Sequence, residues 1–162
     1  MPDRSYRIGF GYDIHRLKKG RRFVLGGIEI PHERGPEGHS DADVLIHAIC
    51  DALLGAAGLR DIGFHFPNTD PQYKNVESAM LLKRVCVLIS EKNFSIENID
   101  TTIVLEAPKV NPHIPEIIKR LAEVMNITEE NISVKATTNE RLGFIGKEKG
   151  IAAFAVALLH RS

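Results

Sequence analysis

The chain has no tryptophan, only two cysteines, no excess of either charge and no long apolar run. Each shortage removes a class of function. Twenty-one Lys and Arg balance twenty-one Asp and Glu, and no basic run interleaved with aromatics occurs, which argues against a nucleic-acid partner. No stretch approaches the ~20 apolar residues of a membrane span, and no secretory signal pattern is present, so neither a membrane partner nor export is expected. Cys50 and Cys86 both sit in helical apolar patterns and read as small buried hydrophobes rather than as a disulfide. The expected location is the cytoplasm, or the plastid stroma for a chain whose transit peptide has been removed. At 162 residues the expectation is a single domain over 1–162, long enough to bury about two-thirds of its unfolded surface.

Apolar periodicity supplies the elements. Residues 6–15 alternate, apolar at even positions and small or polar at odd ones, and predict a strand with its even face in the core. Residues 21–31 predict a hairpin turning at Gly26-Gly27, followed by a loop over 32–38. A helix is expected from about Asp41 to near Gly58, with Ser40 or Asp41 as its N-cap. Residues 59–71 carry neither period and read as a long, functional loop. A second helix over 76–92, a strand over 98–107, a third helix ending near Met125 and strands over 131–138 and 150–160 complete the pattern. The last strand is almost entirely apolar and reads as buried on both faces, centrally or against another subunit. Strands separated by helices predict an α/β (α+β) domain: one mixed sheet, helices on one side, the other side free for a partner.

The polar residues of the first helix ask for a site. At roughly 100° per residue, Ser40, Asp43, His47 and Asp51 fall on one stripe, opposite Leu45, Ile49, Ala52, Leu53 and Ala56. Short acids, a hydroxyl and an imidazole with no nearby Lys or Arg repel one another unless a cation lies over them. Taken alone, an ordinary acidic helix with a satisfied histidine explains the stripe as well. Asp13 and His15, two apart on the first strand, tip the balance: one carboxylate and two imidazoles suit Zn²⁺ with a fourth position open.

The ordered motifs Gly11-Tyr12-Asp13-Ile14-His15, Gly38-His39-Ser40-Asp41-Ala42-Asp43, Asp61-Ile62-Gly63 with Phe66-Pro67, Ala107-Pro108-Lys109 with Pro112-His113-Ile114-Pro115, and Lys135-Ala136-Thr137-Thr138-Asn139-Glu140 with Leu142-Gly143-Phe144 closely resemble the 2-C-methyl-D-erythritol 2,4-cyclodiphosphate synthase family. The resemblance runs from Arg7 to Leu159. It implies a lyase of the non-mevalonate isoprenoid pathway that cyclises 4-diphosphocytidyl-2-C-methyl-D-erythritol 2-phosphate and releases CMP. It also implies a homotrimer joined through its sheets, with active sites between subunits.

Carried over residue by residue, the resemblance makes Asp13, His15 and His47 zinc ligands and Glu140 the ligand of a second ion, Mg²⁺ or Mn²⁺. His39 and Thr138 match the transition-state stabilisers. Asp13, Ile14, His15, His39 and Ser40 match substrate contacts, the last two beside the terminal phosphate. Asp61, Ile62, Gly63, Phe66, Pro67, Asn68, Thr69 and Asp70 match the segment holding the methylerythritol. Leu105, Glu106, Ala107, Pro108, Lys109, Val110 and Asn111 match the cytosine pocket, and Thr137, Thr138, Asn139 and Glu140 lie on the nucleotide side. Phe144 and Lys147 match residues bordering a central cavity that can hold an isoprenoid diphosphate. Lys147 stands for an Arg there, Phe154 for an acid of some members, Phe10 for a His and Asn68 for a frequent Asp. Two other readings, a zinc phosphoesterase and a trimeric sensor with structural zinc, leave residues 107–109 and 137–140 or the open coordination position unexplained.

Overall fold

A computed structural model describes residues 5–161. Seven strands, β1 (Tyr6–Lys19), β2 (Phe23–Leu25), β3 (Ile28–Ile30), β4 (Arg34–Pro36), β5 (Phe94–Val104), β6 (Ile132–Thr137) and β7 (Gly150–Arg161), alternate with five helices. These are α1 (Val44–Ala56), α2 (Ile62–His65), α3 (Ser78–Ser90), α4 (Ile114–Met125) and α5 (Gly143–Gly146). The main sheet has the order β4-β1-β7-β5-β6, antiparallel except for the β5–β6 pair, and β2–β3 form a separate hairpin. The expected mixed sheet and hairpin are therefore present. Gly26 and Gly27, both at positive φ, make the two-residue turn, as such hairpins require.

Helix α1 lies across β1 and β7, α3 packs on α1 and β5, and α4 on α3 and β6. The core between them holds Leu45, Ile49 and Leu53 of α1, Leu82 and Val85 of α3, and Ile117 and Leu121 of α4. In α4 the apolar residues recur at helical spacing and Asn126 closes the helix in the left-handed conformation.

One expectation is reversed. The even, apolar face of β1 is not in the core: Ile8 is 75 % and Phe10 62 % exposed, and Tyr6, Tyr12 and Ile14 are exposed with them. The face that packs on α1 is the odd one, through Gly9 and Gly11. A Cβ at Gly11 would fall inside the Ala48 carbonyl, and one at Gly9 inside that of Ala52. Absence of a side chain is what brings the helix backbone down onto the strand.

β7 is central, between β1 and β5, as one alternative for it required. It is buried fully only toward the helices; Phe154 and Val156 join the exposed apolar face. The segment over 32–38 is not wholly a loop, since β4 pairs with the end of β1, Leu17 opposite Pro36. The long segment after α1 contains α2 and a 3₁₀ turn at Pro71–Tyr73. Three- and four-residue elements are shorter than the windows over which a period can be read, so pattern alone passes over them.

Candidate active site

The open end of α1 shows why its polar residues stand where they do. Neither Ser40 nor Asp41 is the N-cap. Asp43 is, accepting from Ile46 N at 3.0 Å, and its carboxylate also takes Gly26 N (3.0 Å) and Gly27 N (2.7 Å). Asp43 is fully buried and so leaves the polar stripe: it ties the hairpin turn to the helix start. Burial and the neighbouring Asp41 push its acid up to about 6, against the pull of the three N–H donors.

His47 and Asp51 stay on the stripe, half-buried. His47 meets the odd face of β1 just beyond the two glycines, where Asp13 and His15 emerge. Asp13 Oδ2 lies 2.9 Å from His15 Nε2 and 3.1 Å from His47 Nδ1. The three ligand atoms fall within 4.8 Å of one another, forming a cluster of metal-ligating type among the described residues. Burial opposes ionisation of Asp13, yet the two imidazoles outweigh it and lower its acid to about 2. His15, although burial works against its charge, is raised by Asp13 and by the Glu37 carbonyl.

The donor chemistry fits a divalent ion. His15 Nδ1 donates to the Glu37 carbonyl (2.9 Å), since a carbonyl can only accept; in the neutral ring that metal binding requires, Nε2 then carries the lone pair. That Nε2 is buried and, despite its distance from Asp13, makes no bond of hydrogen-bond geometry. An orphaned nitrogen beside a carboxylate and a second imidazole is what a metal-binding site looks like. The set of one carboxylate and two imidazoles suits Zn²⁺ with an exchangeable position.

These groups form one wall of a cleft of about 520 Å³. His39, Ser40, Ile62, Gly63, Phe66, Asn68, Thr69 and Asp70 line it with them, so the structure gathers most of the first group of expected site residues. Pro67 lies within the same segment and Asp61 precedes α2 as its N-cap residue, without a side-chain cap bond. Ile14, between the ligands on β1, points to the open face instead. Asp51 accepts Ile62 N at 2.7 Å and so holds α2 at the cleft's rim. Tyr73, Lys74 and Ser78 also belong to this neighbourhood and were not foreseen from sequence. They lie 26 to 31 positions beyond His47, in no shared pattern.

The second group forms elsewhere. The C-terminal ends of β5 and β6 lie side by side, and Leu105 N donates to Thr137 O at 3.0 Å. Glu106 accepts Asn139 N (2.8 Å) and Arg141 N (3.2 Å), and Thr138 Oγ1 accepts Glu140 N (3.2 Å). Glu106, expected to line a base pocket, thus braces a turn in which Glu140 and Arg141 adopt positive φ. Leu105 and Glu106 are thus gathered with residues 137–141, and none of residues 105–111 or 137–140 lines the cleft of Asp13. Across the sheet Asp13 stands opposite Ala153, Ala153 opposite Ile103, and Ile103 opposite Ala136. Three strand spacings, roughly 14 Å, therefore separate the two groups within one chain. Phe144 lies half-exposed against Gly150 and lines a separate hollow with Ile14 and His15, and Lys147 is exposed at the end of α5. No described helix is long and apolar enough to cross a membrane.

Comparison with known proteins finds relatives along nearly the whole chain. The model of the YgbB family matches residues 6–160. A protein of Cytophaga hutchinsonii named 2-C-methyl-D-erythritol 2,4-cyclodiphosphate synthase is 60% identical over 153 residues, which span 94% of this chain and 96% of that one. The fold superposes on the bifunctional IspDF of Campylobacter jejuni with a TM-score of 0.96 at 38% identity, covering 99% of this chain and 44% of that longer one. It superposes on a CDP complex of IspF from Plasmodium falciparum with a TM-score of 0.86 at 40% identity, covering 98% and 97% of the two chains. A family match over nearly the whole chain, and identities this high over nearly whole relatives, leave one conclusion: the chain belongs to the YgbB family, that of the 2-C-methyl-D-erythritol 2,4-cyclodiphosphate synthases.

Proposed function

We propose that the chain cyclises 4-diphosphocytidyl-2-C-methyl-D-erythritol 2-phosphate to 2-C-methyl-D-erythritol 2,4-cyclodiphosphate. The observation that carries this reading is the meeting of Asp13, His15 and His47 in a cleft shared with His39, Ser40 and the segment around α2, in a chain of this family. An oxygen of the 2-phosphate forms a bond to the β-phosphorus while the bond from that phosphorus to the bridging oxygen breaks. The electron pair leaves on CMP, and no protein group is consumed.

Nucleophile and electrophile belong to one molecule, so the protein's task is to fold it into an attack geometry, worth up to about 7–11 kcal/mol. Asp13, His15 and His47 would hold Zn²⁺, which would supply Lewis-acid charge to phosphate oxygens whose mutual repulsion must be overcome. His39 and Ser40 receive the terminal phosphate, and the segment from Asp61 to Asp70 accepts the methylerythritol hydroxyls. Residues 105–111 hold the cytosine, and Thr138 with His39 steadies charge in the transition state. Glu140 offers a single carboxylate that would hold a Mg²⁺ or Mn²⁺, which would supply further positive charge to the diphosphate.

These roles need both groups of residues around one substrate, and within a chain they lie too far apart. The reading is therefore a homotrimer in which the Asp13 cleft of one subunit faces the residue 105–111 and 137–140 group of the next. The exposed apolar face of β1 and β7 supports it, because an aromatic and aliphatic surface of that extent calls for cover by protein. Phe144 and Lys147 then border the axis, where an isoprenoid diphosphate can lodge.

The test is CMP release from the diphosphocytidyl substrate. It is expected to require metal, to stop with chelator and to return with zinc. His47→Ala and the double change Thr138→Ala, Glu140→Ala are each expected to be inactive. Refolded together in equal amounts they should recover about a quarter of wild-type turnover, the share of interfaces in which random mixing unites two intact halves. No CMP from the metal-loaded protein overturns the activity; an inactive mixture in which mass spectrometry finds mixed trimers overturns the shared site.

A further inference from the structure

His47 has a second partner, on the side away from Asp13. Its Nε2 lies 2.9 Å from the hydroxyl of Ser78, the first residue of α3. Ser78 is fully buried, and its hydroxyl makes a short hydrogen bond to Asp41 Oδ1. Asp41 Oδ2 accepts the Ser78 backbone N–H at 3.0 Å, so the carboxylate grips this residue at two points. Ser40 Oγ also faces His47 Nε2, at the longer distance of 3.3 Å, and accepts the Ala42 N–H, so Ser78 is the nearer partner of that nitrogen. The Ser78 hydroxyl donates to the Asp41 carboxylate. The Ser78 oxygen, its proton so engaged, accepts from His47 Nε2–H. Nε2 being the protonated nitrogen, Nδ1 keeps its lone pair, and Nδ1 is the atom that faces Asp13 at 3.1 Å.

From this geometry we infer that Ser78, backed by Asp41, is a positioning residue that sets the tautomer and ring orientation of His47 for metal binding. The inference rests on the metal reading of the cleft. His15 is set by a backbone carbonyl, which no substitution removes; His47 is set by a side chain 31 positions away. Asp41 also joins the segment before α3 to the loop of His39 and Ser40: its N–H donates to Val76 O, and beside it Asn75 N donates to His39 O at 3.0 Å. Ligand orientation and the shape of the phosphate-receiving loop therefore share one anchor. Outer partners of this type govern metal affinity because the imidazole must be held both turned and deprotonated at the correct nitrogen.

Two measurements test it. In the first, Ser78→Ala is compared with the wild-type protein by competition for zinc against a coloured chelator. The expected result is a Kd about 10–100-fold weaker, the usual loss for such a partner. A Kd within twofold of wild type overturns the inference. Wild-type protein that holds no zinc overturns the metal reading instead, so the two failures are distinguishable. The deciding arm of the second measurement uses the wild-type protein and needs no variant to fold. Nitrogen-15 NMR of the zinc-loaded wild-type protein should show His47 protonated at Nε2 and metal-bound at Nδ1, with the cobalt-substituted protein of Ser78→Ala giving an altered visible spectrum. His47 bound to zinc through Nε2 overturns the inference, whatever the variant does. A purely structural Ser78 would lower the melting temperature of the metal-free protein without moving either signature.

Discussion

The two faces of β1 come from the same alternating residues and do opposite work. On the helix side, Gly9 and Gly11 let the backbone of α1 press against the strand, and two steps further Asp13 and His15 meet His47 where the helix still runs close. On the other side Tyr6, Ile8, Phe10, Tyr12 and Ile14 stand exposed in a single chain, continued by Phe154 and Val156 on β7. The comparison separates two ideas that are easily merged. Apolar character says that a surface prefers cover; it does not say that the cover is in the same chain. The closest internal contact uses residues with no side chain at all, because a site built between strand and helix needs the two backbones near one another.

The largest expected effect comes from opening the closed face. Gly11→Ala places a methyl group inside the Ala48 carbonyl, a backbone atom that cannot turn aside. Destabilisation of at least about 3 kcal/mol is expected, with loss of zinc retention, read by urea unfolding and elemental analysis. A change under 1 kcal/mol would mean that α1 is not held at this distance.

Charge placed on the open face should act differently. Phe10→Glu is expected to yield monomers by analytical ultracentrifugation, with turnover lost, while the far-ultraviolet circular dichroism of the chain persists. The residue is exposed within one subunit, so its cost appears in assembly and not in the subunit fold. A variant that sediments as the wild-type protein does and stays active shows that this face is not the one covered.

A smaller effect tests the anchor beneath the closed face. The folded Asp43 acid lies at about 6 against an ordinary 3.8, so the folded chain binds this proton more tightly than the unfolded one. Its contribution to stability is present below about pH 4 and is lost as pH rises toward 6. The wild-type unfolding free energy minus that of Asp43→Asn should therefore fall across this window and level off above it. A difference that rises with pH would mean that the three N–H donors of Gly26, Gly27 and Ile46 outweigh burial.

The smallest effect belongs to the open face again. Lys147 carries charge without the planar fork of an arginine, and Phe154 adds apolar surface. By calorimetry, geranyl diphosphate should bind only modestly better than geraniol, and Lys147→Arg should widen the gap by a few-fold. A strong preference for the diphosphate in the wild-type chain breaks this expectation.

Much of the architecture was legible before any coordinates. The hairpin at Gly26-Gly27, the three long helices and the main strands follow from period and punctuation, with boundaries moved by a few residues. The segments that became β4, α2 and α5 were not, because three or four residues carry no period. Asp43 was placed on the polar stripe by helical geometry that begins one residue later, and the structure turns it inward as a cap. Asp13, His15 and His47 were recognisable as ligand types, and the ordered motifs pointed to the family. Ser78 was not recognisable, since nothing local distinguishes a serine at the start of a helix from one that holds a histidine ring.

Chemistry was thus written in residue types and spacing: a carboxylate and an imidazole two apart on a strand share a face whatever surrounds them, and an apolar stripe on a helix is buried wherever the helix goes. Tertiary structure decided what touches what. It chose the glycine face of β1 for α1, because a backbone can approach only where no side chain intervenes. It brought Ser78 and Asp41 behind His47, and it left Thr138 and Glu140 across two intervening strands from Asp13. Those outcomes depend on the order of strands in the sheet, a property of long-range pairing to which no local pattern in the chain gives access.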